Sequence, residues 1–120
     1  MSEKKIGIIN KCSPHGSAQG RESLDLTLAM SAFNESLSVF FIEDGIYQLV
    51  ANHVTDEVLQ KHYQPLLKML DLYDVENIYV CQQSLSQRGI KKEALVIEAT
   101  VINNAQLKQF LSLQDQLLSF

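Results

Sequence analysis

Cys81 closes the apolar run Asn77-Ile78-Tyr79-Val80-Cys81 and is followed by the polar segment Gln82-Gln83-Ser84-Leu85-Ser86-Gln87-Arg88-Gly89. The run reads as a buried strand, and the segment after it as a short helix stopped by Gly89. In open parallel sheets, reactive groups gather where strands end at their carboxyl edge, and a thiol there faces the positive end of the next helix. A nucleophilic thiolate or a persulfide carrier fits that place. So does a small buried hydrophobe that caps a core strand, because free cysteine is among the most buried residue types.

Other chemistry-bearing residues are less well placed. Cys12 and His15 fall in one short loop, Lys11 to Gly20, where they could pair as nucleophile and base, yet no third group orients them. Gly16 and Gly20 in the same loop precede a helical segment, but their spacing matches neither the dinucleotide fingerprint nor the phosphate-binding loop, which needs a Lys-Ser/Thr pair after its last glycine. Turn chemistry accounts for Pro14 and Gly16 without a ligand. Glu43 and Asp44, adjacent carboxylates before Gly45, suit a solvated turn or a helix cap better than acid/base catalysis.

The elements that must position these residues follow a repeated strand-helix order. Ile6 to Asn10 is a short β-branched run expected to be the first strand, and Leu24, Leu28, Met30 and Phe33 supply the helix after the glycine loop. Leu37 to Ile42 is the second strand. Beyond the Glu43-Asp44-Gly45 turn, Ile46, Tyr47, Leu49 and Val50 join Phe41 in an apolar cluster. That cluster is either a lid on the sheet or a contact patch for another subunit, and these five residues are the interface candidates.

From Thr55 the spacing of Val58, Leu59, Leu66, Leu67, Met69 and Leu70 predicts helix, which Pro65 divides in two. His53 and His62 read as solvated. Leu72-Tyr73-Asp74 turns into the strand that ends at Cys81, and a fourth strand over Leu95 to Glu98, a helix from about Asn104 to Leu113 and a last strand ending at Phe120 complete the chain. The expected fold is a single α/β domain over residues 1–120: a three-layer sandwich with a parallel, flavodoxin-like sheet of about five strands. If the first and third strands were neighbours, Cys12 and Cys81 would approach one another at the carboxyl edge.

Composition removes several function classes. With 120 residues and 46% hydrophobic content, the chain can bury a core without metal or disulfide staples. Lys and Arg number 10 against 14 Asp and Glu, a formal charge of −4, and the basic pairs are Lys4-Lys5 and Lys91-Lys92, which disfavours direct nucleic-acid binding. Two cysteines without a Cys-x-x-Cys spacing or a Cys/His cluster argue against zinc and against a secreted disulfide framework. No run is long enough to span a bilayer, so a cytoplasmic protein is expected. No metal and no cofactor are expected.

The order of several short motifs resembles the DsrE/DsrF/TusBCD sulfur-relay family, and its C-type subunits in particular. They are Ser13-Pro14-His15-Gly16 with Gly20-Arg21-Glu22 and Leu24-Asp25, Val39-Phe40-Phe41-Ile42 with Asp44-Gly45 and Gln48-Leu49, Leu72-Tyr73-Asp74 with Glu76, Cys81 with Arg88-Gly89, Glu98-Ala99-Thr100, and the terminal Phe120. The motifs cover nearly the whole chain.

The resemblance implies a subunit of a cytoplasmic heterohexamer, built with TusB-type and TusD-type chains. That complex passes persulfide sulfur from a TusA-type donor to a TusE-type acceptor for 2-thiolation of the tRNA wobble uridine. In related D-type and DsrE-type chains, the sulfur-carrying cysteine holds the strand end that Cys81 holds here, with an Arg-Gly pair like Arg88-Gly89. The C-type and DsrF-type chains are supporting members, so the resemblance implies no catalytic residue on this chain.

Three function classes follow. The first is a structural, interacting subunit of the relay. The second is a sulfurtransferase carrying persulfide on Cys81, and the third a small-molecule or phosphate-binding module using the Gly16 to Gly20 loop.

Overall fold

The computed structural model describes residues 4–11, 19–31, 36–50, 75, 77–95 and 97–120. Within them, five short runs become β1 (Ile6–Asn10), β2 (Leu37–Phe41), β3 (Asn77–Cys81), β4 (Thr100–Ile102) and β5 (Gln116–Ser119). They form one sheet in the order β4-β3-β2-β1-β5, with every neighbouring pair parallel. All five residues of β2 are buried. A strand in the middle of a parallel sheet is covered on both faces and therefore reads as a nearly continuous apolar run.

Three helices complete the described residues: α1 (Gln19–Ser31), α2 (Gln82–Gln87) and α3 (Asn104–Ser112). Register divides the strands into two faces. Ile8, Val39 and Ile78 lie in one row, and Phe41, Val80 and Val101 in the next. This face carries the main core, where Val39, Ile78, Phe41, Val80 and Val101 pack with Val75, with Leu85 of α2 and with Ile46 and Leu49. Leu28 of α1 packs against it too, and Met30 of α1 packs on a smaller group, Ile6, Ile8 and Leu37. The opposite row is Ile9, Phe40, Tyr79 and Thr100. Phe40 stacks on Tyr79 at 5.3 Å between ring centres, and Tyr79 meets Phe110 of α3 at 5.0 Å.

The chain therefore makes three layers. From β1 to β3 the strands advance across the sheet, and α1 and α2 pack on the first face. Between β4 and β5 the chain returns from one edge to the other, and a right-handed crossover in the reverse direction places its helix on the second face. That is where α3 lies.

Local sequence explains where the helices begin and end. Asn103 accepts a hydrogen bond from the Gln106 N–H at 2.8 Å, while the Gln106 side chain accepts from the Asn103 N–H at 2.9 Å, a reciprocal cap that starts α3. At the end of α2, Gly89 takes φ +64, the Gly89 N–H donates to the Ser86 carbonyl and the Ile90 N–H to the Leu85 carbonyl. This is a Schellman termination, with Ile90 packed back on the core as its apolar clasp.

The α/β class and the parallel five-stranded sheet agree with the sequence reading, and two local expectations do not. The run from Leu95 is not the fourth strand: a 3-10 turn occupies Lys92–Ala94, Leu95 makes an isolated antiparallel bridge to Val50, and β4 begins at Thr100. Leu95, Ile97 and Ala99 are half-buried against the main core, so their apolar character comes from packing under the sheet edge and not from strand pairing. In addition, β2 separates β1 from β3, so the adjacency that would bring Cys12 and Cys81 together is absent.

Cys12, His15, Gly16, Phe33, the expected helices from Thr55 with His53, His62 and Pro65, and the Leu72 to Asp74 turn lie outside the described residues. Among the described residues, no helix is long and apolar enough to cross a membrane.

Candidate functional site

The carboxyl edge of the sheet is built by the ends of β1, β2 and β3. Asn10, the last residue of β1, is buried, and its carbonyl accepts the Ile42 N–H at 3.0 Å. The chain leaving β2 turns at once into a 3-10 segment, Glu43–Leu49, that folds over this edge. Glu43 takes φ +50, in the left-handed region that ordinary side chains rarely adopt, and its N–H donates to the Ser84 hydroxyl at 2.9 Å. Gly45 follows because nothing larger fits: a Cβ there would stand 1.9 Å from the Asn10 carbonyl oxygen.

Cys81 ends β3 and is the N-cap residue of α2, with extended backbone angles. Its side chain points to the same face as Tyr79, under α3, and is only 5% exposed. The thiol is a free cysteine whose sulfur donates toward the Asn104 side-chain oxygen at 3.5 Å. The Asn104 amide in turn donates to the Gln83 side-chain oxygen. The Asn104 carboxamide thus meets the thiol from the first turn of α3, and Gln83 in the first turn of α2 holds that carboxamide in place. Burial and this Asn104 bracket make Cys81 a packed strand-end residue in this conformation.

Asp44 is not part of an acid/base pair. Its Oδ1 accepts from Arg88 Nη2 at 2.9 Å and from Nε at 3.1 Å, while Arg88 Nη1 donates to the Ser84 carbonyl. The Arg88 guanidinium also lies 6.0 Å from the centre of the Tyr47 ring. Arg88 thereby clamps the end of α2 to the 3-10 segment. No group of three His, Cys, Asp or Glu side chains is arranged to hold a metal among the described residues.

The five interface candidates separate into two groups. Phe41, Ile46 and Leu49 are at most 2% exposed and belong to the core of this chain, so their side chains offer no surface to a partner. The sequence left the cluster open between a lid on the sheet and a contact patch; the core absorbs most of it because the 3-10 segment folds back onto β2 and α2. Tyr47 and Val50 are half-buried and keep accessible area at this edge. Asn104 and Ser84, which hold the thiol and the turn, carried no signal in the sequence, since single polar residues in helical first turns are ordinary.

The profile of the DsrE/DsrF-like family matches residues 4–120. A protein of Vibrio vulnificus strain CMCP6 named "Protein TusC homolog" is 51% identical over 116 residues, covering 97% of this chain and 98% of that protein. A protein of the same name from Aliivibrio fischeri is 41% identical with the same coverage. Among solved structures, the ychN protein from E. coli superposes with a TM-score of 0.80 at 24% identity, covering 98% of this chain and 99% of its own. A conserved protein of unknown function from Bacteroides thetaiotaomicron gives 0.70 at 13% identity, covering 98% and 95%. These two likenesses establish the fold.

Proposed function

The chain belongs to the DsrE/DsrF-like family, and from that premise we propose that it is a structural, partner-contacting subunit of a sulfur relay. In this reading the single-domain chain assembles in the cytoplasm with TusB-type and TusD-type subunits as a heterohexamer. The complex takes persulfide sulfur from a TusA-type donor and delivers it to a TusE-type acceptor for 2-thiolation of the tRNA wobble uridine. This chain itself holds no cofactor or metal and does not touch nucleic acid.

The observation that carries the reading is end-to-end similarity, at 51% and 41% identity, to two proteins named as TusC homologues. The buried, bracketed thiol supports placing the sulfur-carrying step on a partner, because a persulfide carrier must meet donor and acceptor in turn. Tyr47 and Val50 supply the contact area at the carboxyl edge, and the Arg88 clamp holds that edge in shape for a partner.

A second reading rests on one observation, the position of Cys81 at the carboxyl end of a parallel strand and at the start of a helix. Opening of the Asn104 bracket would then expose the thiol for persulfide transfer. One experiment separates the two: co-expression of the chain with its B-type and D-type partners, unmodified or carrying Cys81→Ser, with complex mass and cellular wobble 2-thiouridine as readouts. A full-size complex with 2-thiouridine retained supports the structural role. A full-size complex with 2-thiouridine lost moves the transfer step onto Cys81, and failure of the unmodified chain to join the partners ends the subunit reading.

A further inference from the structure

At the opposite end of the sheet, where the strands begin, the α3 face opens into a cavity of about 260 Å³. Its polar lining comes from Lys5 just before β1, Ser36 and Ser38 at the start of β2, Asn77 at the start of β3 and Gln114 after α3, whose side-chain amide donates to the Phe110 carbonyl. Tyr79 and Phe110 form its aromatic wall, tilted 41° to one another, and Leu113 stands at its rim, 52% exposed. None of this belongs to the carboxyl edge described above, and it is distant in sequence from the Gly16 to Gly20 loop.

The charge of the lining is one-sided. Lys5 contributes a cation, and no Asp or Glu is among the described residues of the lining. Asp115 is nearby, but its carboxylate accepts the Lys5 backbone N–H at 2.7 Å, and among the described residues no ion pair engages the Lys5 ammonium. The Asn77 amide donates to the Leu37 carbonyl, which leaves its own oxygen as a local acceptor. A cation and a hydroxyl donor beside a wall of two rings and a leucine select an anionic head with an apolar body. The volume lies below the roughly 300–1,000 Å³ of pockets for drug-sized ligands, so the body is small.

We propose that this cavity is a binding site for a small carboxylate bearing an aromatic or branched aliphatic group. The carboxylate pairs with Lys5 and takes a hydrogen bond from Ser38, and the apolar group lies against Tyr79, Phe110 and Leu113. The proposal is independent of the relay reading, since it concerns the other end of the sheet and requires neither Cys81 nor a partner subunit.

The test uses the full-length chain with phenylacetate as the probe and phenylacetamide as its neutral counterpart, by calorimetric titration and by mapping amide chemical-shift changes. Saturable phenylacetate binding is expected, with shifts gathered at Lys5, Ser38, Asn77, Tyr79 and Phe110. The amide is expected to bind about tenfold more weakly, as is phenylacetate to Lys5→Gln, because each change removes one charge from a charge-assisted contact. Lys5→Arg restores most of the loss, and Phe110→Ala weakens both probes alike. Lys5 lies outside the strands, so its replacement leaves the fold in place, and a matching amide spectrum verifies this. Absence of saturable binding, equal affinity for acid and amide, or shifts that map away from these residues overturns the proposal.

Discussion

The two ends of this sheet hold opposite kinds of residue and are packed in opposite ways. The carboxyl edge holds the groups with obvious chemical capability, Cys81, Glu43, Asp44 and Arg88, and the fold has engaged nearly all of them. The thiol is bracketed by Asn104, Asp44 is paired with Arg88, and the Glu43 N–H is tied to Ser84. The amino edge holds plain residues, Lys5, Ser38, Asn77 and Tyr79, yet leaves about 260 Å³ of open space among them. Reactive side chains therefore do not by themselves define a site. A ligand needs both complementary groups and room, and among the described residues the cavity of about 260 Å³ lies at the end without the thiol.

The sharpest way to break that contrast is to crowd each end in turn. A Cβ at Gly45 meets the Asn10 carbonyl oxygen at 1.9 Å and its carbon at 2.5 Å, both backbone atoms held between strands. Gly45→Ala is expected to destabilise the chain by about 3 kcal/mol or more. A Cβ at Gly7, on the face of α3, meets side-chain atoms of Leu117 at 2.7 Å and Gln114 at 2.9 Å, which can turn aside. Gly7→Ala is expected to cost about 1 kcal/mol. Urea unfolding midpoints compare the two, and equal losses would mean that the carboxyl edge is no more tightly built than the other.

Within the carboxyl edge, the 3-10 segment itself contrasts a buried half with an accessible half. Leu49→Ala is expected to cost the isolated chain about 2 to 4 kcal/mol, as for a fully buried leucine. Tyr47→Asp is expected to change its stability by less than about 1 kcal/mol while lowering the yield of complex with B-type and D-type partners. Normal complex yield with Tyr47→Asp would remove this edge from the interface.

Smaller effects test how the chemical groups are held. Cys81→Ser is expected to cost about 1 kcal/mol in chemical denaturation, because the new hydroxyl inherits the Asn104 oxygen as acceptor. In an Asn104→Ala background the same change should cost about 1 kcal/mol more, since the hydroxyl is then buried unpaired. The Arg88–Asp44 pair gives the smallest effect, because the Asp44 side chain is 58% exposed. A double-mutant cycle of Arg88→Gln and Asp44→Asn is expected to give a coupling of about 0.5 kcal/mol at low salt that fades at high salt. A coupling that persists in high salt would show that the clamp acts through packing on Tyr47 more than through charge.

These contrasts mark where sequence reasoning worked. Ile6 to Asn10, the run from Leu37 and Asn77 to Cys81 were legible as strands, and Gly89 as a helix stop, because each depends on a few consecutive residues. The cluster around Phe41 was legible as apolar, with a lid on the sheet and a partner contact both left open. An apolar run shows that burial is needed, and whether this chain or a partner provides it depends on how the 3-10 segment folds back. Leu95 and Ile97 show the same ambiguity, since half-buried packing and strand pairing demand the same residue types.

The sequence by itself determined the first three strands and their order, the α/β class and the end of the helix after Cys81, all of which follow from short-range hydrophobic period and backbone preference. Tertiary structure alone decided that β2 occupies the middle, that β1 lies between β2 and β5, and that α3 covers the second face. It also decided that the thiol is enclosed and that space remains among Lys5, Ser38 and Tyr79. The physical reason is the same for each: local pattern records that a residue must be covered, while the identity of what covers it is set by pairings between strands far apart in the chain and by the return crossover that carries α3 across the sheet.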